Sequence, residues 1–106
     1  MREDDYSANG LLGSVRVNMS SYNVIPVFIL ARYFTTGQTI VFLNPITGLK
    51  TAGPVKVQTY DSFGERLVVD SNVSVSKGDA IYLSGSQDER NPPRVGFDVP
   101  EQEKDV

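Results

Sequence analysis

The chain reads as all-β: a small antiparallel β-barrel or sandwich of about seven to eight short strands, with an extended arm at each end. Three observations predict this. Apolar and polar residues alternate over short runs, as in VKVQTY, where Val55 and Val57 take one side and Lys56 and Gln58 the other. Turn-forming pairs recur about every ten residues along the middle of the chain. No long segment carries the 3.6-residue repeat of an amphipathic helix.

The strands follow in order. Leu11 to Asn18 carries Val15 and Val17 in alternation. Val24 to Phe34, VIPVFILARYF, is rich in β-branched and aromatic residues. It reads as a buried strand with Pro26 near its beginning, or alternatively as a short helix starting at Pro26. Gln38 to Leu43, Val55 to Tyr60, Arg66 to Asp70, Val73 to Val75, Ala80 to Leu83 and Arg94 to Phe97 complete the set. Between them lie Thr36-Gly37, Asn44-Pro45, Thr47-Gly48, Gly53-Pro54, Phe63-Gly64, Lys77-Gly78 and Asn91-Pro92-Pro93, all turn chemistry. The clearest signal is NVSVSKGDAIYLSG, Asn72 to Gly85, which reads as a hairpin with Gly78 and Asp79 at its turn. The expected core is Phe28, Ile40, Phe42, Val73, Val75, Ile81, Leu83, Val95 and Phe97. GQTIVF (Gly37 to Phe42) aligns with GDAIYL (Gly78 to Leu83), and each is followed at similar spacing by a Pro and a Val: Pro54-Val55, then Pro93-Arg94-Val95. This faint repeat suggests two related β units packed together.

Composition narrows the function. At 106 residues the chain is one domain with a modest core. The organisation reads as an N-terminal arm over 1–10, a β domain over 11–98 and an acidic tail over 99–106. The chain has no cysteine and no histidine. That excludes disulfides, thiolate nucleophiles, Cys or His metal ligation and Ser–His catalysis. Acid–base work by paired carboxylates would need opposed groups across a cleft. The available pairs, Asp4 with Asp5 and Asp88 with Glu89, read as solvated charge. Gln87, Asp88, Glu89 and Asn91 lack the spacing of a calcium loop. No catalytic residue, cofactor or metal is expected, and the chain does not read as an enzyme. Ten Lys and Arg against thirteen Asp and Glu give a net charge of −3. The basic residues are scattered singly, which argues against nucleic-acid binding. The longest apolar run is too short to cross a bilayer, which takes about 20 residues. The polar start MREDDYSANG has no signal-peptide character. No membrane partner is expected, and synthesis in a cytoplasm is.

What remains is interface logic. Thr-, Ser- and Asn-rich strands over a modest core, with charged ends, suit a module that assembles with neighbours. The interface candidates are Arg2, Asp4 and Tyr6 in the N-terminal arm, Asp88 and Arg90 in the last long loop, and Glu101 in the tail. A small ligand-binding β-barrel, recognising carbohydrate or peptide through Tyr22, Tyr60 and the two long loops, is the alternative.

RLVVDSNVSVSKGDAIYLSGS, Arg66 to Ser86, resembles a segment of tailed-bacteriophage virion proteins. In these a valine-rich strand, Gly-Asp, an aliphatic-Tyr-Leu run and a small residue with Gly lead through a loop to a Pro-x-Val strand. Val73, Val75, Gly78, Asp79, Ile81, Tyr82, Leu83, Gly85, Pro93 and Val95 hold those positions. The resemblance covers about residues 66–97. It implies a non-enzymatic virion component, and a chain this short points to a head-decoration (cement) protein or a small tail or neck component. Implied partners are the chain itself, trimers among the assemblies, and a major capsid or other virion protein. The implied location is the virion, reached from the host cytoplasm during assembly.

Overall fold

A computed structural model describes residues 10–30 and 34–90. They form β1 (Leu11–Val15), β2 (Met19–Ile29), β3 (Thr39–Leu43), β4 (Lys50–Asp61), β5 (Arg66–Val75), β6 (Ala80–Leu83) and a single helical turn, α1 (Gln87–Arg90). The six strands close a barrel in the order β1-β2-β5-β4-β3-β6, with β6 returning to β1, and every pairing is antiparallel. Closure leaves none of these strands as a free edge. The barrel of the two expected architectures is therefore the one formed, with six described strands where about seven to eight were expected.

The difference has identifiable causes. Arg66–Asp70 and Val73–Val75 are one strand, which pairs with β2 from Arg66 to Val75, and the Lys56 N–H donates to Asp70 Oδ1 at 3.0 Å at the middle of β5. Gly53-Pro54 lies inside β4 instead of turning it. Passing from Ile40↔Val55 to Phe42↔Ala52 advances two residues on β3 and three on β4, so Gly53, at φ 97°, and Pro54 form a bulge. Arg94 to Phe97, Val95 and Phe97 included, lies outside the described residues. The stretch beginning at Val24 is strand and not helix, and it extends back to Met19. Pro26 sits within β2, opposite Arg66, where its carbonyl accepts the Arg16 N–H at 2.9 Å.

The interior is aliphatic. Leu12, Val15, Ile25, Val27, Ile40, Phe42, Val55, Val57, Leu67, Val69, Val73, Val75 and Ile81 fill it, with Phe34 buried beside them and Leu83 partly buried against them. Phe28 departs from expectation. It alternates with Val27 and so faces outward, half-buried, with the Arg16 guanidinium 5.8 Å from its ring centroid. Leu11, Val41, Leu43, Ala80 and Tyr82 form a second buried cluster, against which Leu30 packs. These residues alternate with the interior ones, so they lie on the outer face of β1, β6 and β3, and that stretch of wall is dry on both sides.

The expected hairpin is also corrected. Asn72 to Gly85 is strand, turn, strand, but β5 and β6 are not partners: β5 lies between β2 and β4, and β6 between β1 and β3. The turn carries the chain across the barrel end. Its geometry aims β6 at β1: the Gly78 N–H donates to the Val15 carbonyl at 2.9 Å, and the Val15 N–H to the Asp79 carbonyl at 2.9 Å. The Asp79 N–H closes on Ser76 O at 3.0 Å, and the Ser76 N–H donates to Asp79 Oδ2 at 3.0 Å.

The segment 35–38 repeats this turn bond for bond. The Gln38 N–H closes on Thr35 O at 3.1 Å, the Thr35 N–H donates to Gln38 Oε1 at 3.3 Å, and the Gly37 N–H donates to Val57 O at 2.8 Å. The Val57 N–H in turn donates to Gln38 O at 2.8 Å. Gly37 and Gly78 have φ of 88° and 91°. Val57 thus stands to β3 as Val15 stands to β6, and the likeness continues around the wall. Val15↔Val27 matches Val57↔Val69; Gly13↔Ile81 matches Val55↔Ile40; Ser14↔Ala80 matches Lys56↔Thr39. A pseudo-two-fold axis therefore relates β3-β4-β5 to β6-β1-β2. It passes through the pair Ile25↔Leu67 on one side of the barrel and Val41↔Tyr82 on the other. The repeat seen in the sequence is real in the fold, but its second half is circularly permuted. The counterpart of the Pro54-Val55 region is Leu12-Gly13 of β1, and not Pro93-Arg94-Val95.

Asp79 is the one buried acid of the described residues, 2% exposed. Burial raises its pKa above the ordinary aspartate range, opposed by the hydrogen bonds from Ser76 and Thr51. The folded chain therefore holds this proton more tightly than the unfolded chain does. The contribution to stability is present at low pH and is lost as pH rises through the raised value. Asp79→Asn keeps an acceptor oxygen for the Ser76 N–H and removes the charge. Thermal unfolding across about pH 4–7 should show the variant gaining on the wild type as pH rises. Parallel profiles for the two proteins would contradict this account of Asp79.

Candidate interaction surface

The barrel wall is built of β-branched and aliphatic residues, and chemistry-bearing side chains are left to the connections. The β3–β4 connection is fixed by Asn44, whose Oδ1 accepts the N–H groups of Ile46 at 2.8 Å and Thr47 at 3.1 Å. Asn44 O accepts Gly48 N–H at 2.7 Å, and Asn44 N–H donates to Leu49 O at 2.9 Å. Thr47 Oγ1 accepts the Leu49 N–H at 3.2 Å. Asn in this position turns the backbone with its own side chain. The loop is thus held by five hydrogen bonds, and what it holds out to solvent is apolar: Ile46 and Leu49, 59% and 68% exposed.

The β4–β5 turn uses the same device. Asp61 Oδ1 accepts Phe63 N–H at 3.0 Å and Gly64 N–H at 3.2 Å. Phe63 between them is 99% exposed. The two loops lie at opposite ends of β4. The pseudo-dyad relates the Phe63 turn to the corner of Ser21 and Tyr22, where Ser21, at φ 57°, donates its N–H to Ser74 Oγ at 2.9 Å. Tyr22 is exposed there too, with Val17 nearby in sequence. The same axis relates the Ile46–Leu49 loop to the corner where Gly10 meets Ser86. At that corner the Leu83 N–H donates to Gly10 O at 2.8 Å, and any Cβ on Gly10 would collide with the Ser86 side chain. Gly10 and Ser86 therefore meet at the symmetry mate of an apolar loop.

The residues expected at the interface fall differently. Arg2, Asp4, Tyr6 and Glu101 lie outside the described residues. The helical turn α1 contains Asp88, Glu89 and Arg90. Arg90 is exposed, and its Nη1 donates to Gly85 O at 2.7 Å, closing the turn. Glu89 Oε1 accepts the Gly85 N–H at 3.0 Å, and Ser86 Oγ accepts the Glu89 N–H at 3.2 Å. Glu89 and Arg90 thus serve the turn itself. Of the two tyrosines considered for ligand recognition, Tyr60 is partly buried against Phe34, with ring centroids 5.5 Å apart, while Tyr22 is free to contact a partner from the surface.

Ile46, Leu49 and Phe63 were not expected. The signal lies in NPITGL and DSFG: an apolar residue inside a run of turn formers has no strand to carry it to the core. Electrostatics adds little. Arg16 and Glu65 approach to 3.8 Å, with side chains 33% and 50% exposed, so solvent screens the pair. Among the described residues, no three His, Cys, Asp or Glu side chains gather as a metal would require. The arrangement defines a class: a filled, closed, antiparallel β-barrel with apolar side chains held out on braced loops. Comparison with protein-family models, with curated proteins and with solved structures gave no match.

Proposed function

We propose that the chain is a non-enzymatic structural protein of a virus particle, a decoration module that cements a tailed-phage head by binding itself and the major capsid protein. The observation that carries this reading is Phe63, fully exposed on a turn whose backbone is fixed by the Asp61 side chain. Ile46 and Leu49 repeat the pattern at the other end of β4. A braced loop backbone gives up little freedom on binding, which leaves chiefly the side-chain rotamers to be ordered. Burying each such side chain contributes about 1.5–3 kcal/mol, and repetition over a shell multiplies weak contacts into firm attachment. The resemblance of residues 66–97 to virion proteins supports the same reading, with the virion as the location and the host cytoplasm as the place of assembly. The ligand-binding alternative relied on Tyr22, Tyr60 and the loops; of these, Tyr60 packs partly buried against Phe34, which weakens that reading.

Co-sedimentation with a panel of purified tailed-phage heads and tails tests the proposal. Binding to heads is expected, and Leu49→Ser with Phe63→Ser should weaken it by on the order of tenfold or more. Binding to tails alone would move the protein to the tail or neck. Failure to bind any particle would sink the virion reading.

A further inference from the structure

One stretch of the barrel wall is buried on the side where a barrel wall ordinarily meets water. Leu11, Val41, Leu43, Ala80 and Tyr82 point outward from β1, β3 and β6, yet each is at most 2% exposed. Ser14, which lies opposite Ala80 on the same side, is 0% exposed. Outward residues elsewhere on the barrel, Lys56 and Gln58 of β4 and Asp70 of β5, are exposed. The burial is that of a single chain, so the cover belongs to the chain itself. Among the described residues, Leu30 is the further apolar side chain that packs there. One leucine cannot dry so broad a face.

We propose that the cover is the segment Pro93 to Val99, laid extended across the outer face of β1, β6 and β3. Pro93, Val95, Phe97 and Val99 recur at every second position, with Arg94, Gly96 and Asp98 between them. An extended chain with that period has one apolar side and one polar side. The barrel is closed and offers such a segment no strand edge to pair with, so a face is what remains. The starting point is also right. α1 ends at Arg90, whose N–H donates to Ser86 O at 3.2 Å, beside the corner where Gly10 meets Ser86. Leu11, next to Gly10, and its partner Tyr82 bring the covered face to that same corner. Neighbouring strands lie about 4.8 Å apart, so three strands measure about 10 Å across, and Pro93 to Val99 extended reaches about 23 Å. The other stretches outside the described residues suit the face less. Residues 1–9 set Arg2, Glu3, Asp4 and Asp5 in a row, and 31–33 is a short link held between Leu30 and Phe34. Val95 and Phe97 are thus core residues of the outer wall and not of the barrel interior. This inference is independent of the virion reading.

The chain has no native cysteine, so one introduced thiol reports on one position. Ser14→Cys puts a thiol on the covered face, and Val69→Cys puts one in the barrel interior. Reaction with an aromatic disulfide reagent is followed in the full chain under native conditions. Val95→Ser with Phe97→Ser should speed the reaction at position 14 by on the order of tenfold or more, and leave position 69 as slow as before. Tyr6→Ser should change neither. Unchanged protection of position 14 in the double variant, or its loss in Tyr6→Ser, would overturn the proposal. So would protection that weakens on dilution, since a second copy would then be the cover. Leu43→Cys reports on the same face should Ser14→Cys fail to fold. If the double variant exposes both positions alike, Phe97→Leu repeats the comparison with a smaller loss. Position 14 opening ahead of position 69 is expected there, and any other order would overturn the proposal.

Discussion

Replacing Phe42 by alanine lowers the unfolding free energy by about 3–5 kcal/mol, while the same replacement at Phe63 leaves it within about 0.5 kcal/mol. Phe42 is fully buried among Ile40, Ile81 and the rest of the barrel interior. Removing its ring forfeits the transfer of that area from water and leaves a cavity that closed strands cannot collapse to fill. Phe63 meets almost nothing within its own chain. For a domain whose whole stability is about 5–15 kcal/mol, the first change is severe and the second silent. Thermal unfolding followed by circular dichroism checks both, with a fall in Tm of about 12 °C or more for Phe42→Ala. Comparable losses at the two positions would mean that Phe63 belongs to the core and is not a contact residue.

Gly37→Val and Gly78→Val each destabilise the barrel by about 1–3 kcal/mol, and by similar amounts. Both glycines sit in the left-handed region, at φ 88° and 91°, where a β-branched residue is strained. At Gly37 an added Cβ would meet nothing within 4 Å, so the loss there is conformational and not a clash. Each glycine N–H also bonds the neighbouring strand, to Val57 at one turn and to Val15 at the other. Urea unfolding of the two variants compares the turns directly. A loss at one position with none at the other would show that only one turn fixes the register of its strand, against the two-fold account.

Much of the fold could be read from the residues, for local reasons. VKVQTY alternates because one side of β4 is wet, and Val55 and Val57 point inward as their period requires. The likeness of GQTIVF to GDAIYL could be read because a left-handed glycine and the strand after it are encoded within a few residues. Its continuation was misread because the second half begins at the end of the chain and finishes at the start. No scan along the sequence joins β6 to β1. The hairpin failed for a related reason. A tight turn between two strands looks the same whether they pair or part, and the partners of β6, at Leu11–Ser14 and Ile40–Leu43, are remote in sequence. Phe28 was misplaced because VIPVFIL is apolar on both faces and its period carries no direction. At the surface, charge drew attention to Asp88 and Arg90, but Arg90 is bonded within its own turn. The exposed apolar residues escaped notice because, in one dimension, Ile46, Leu49 and Phe63 look like core.

The central claim is that the barrel is scaffold and its braced apolar loops are the contact surface. Light scattering over a concentration series, with thermal unfolding of the same samples, tests it most directly by comparing the wild type with Ile46→Ser/Leu49→Ser/Phe63→Ser. The account predicts a wild-type mass that rises reversibly above the 11.6 kDa of one chain, and a variant that stays at one chain with an unchanged unfolding midpoint. A wild type that remains a single chain at every concentration, or a variant that associates as strongly as the wild type, would contradict it.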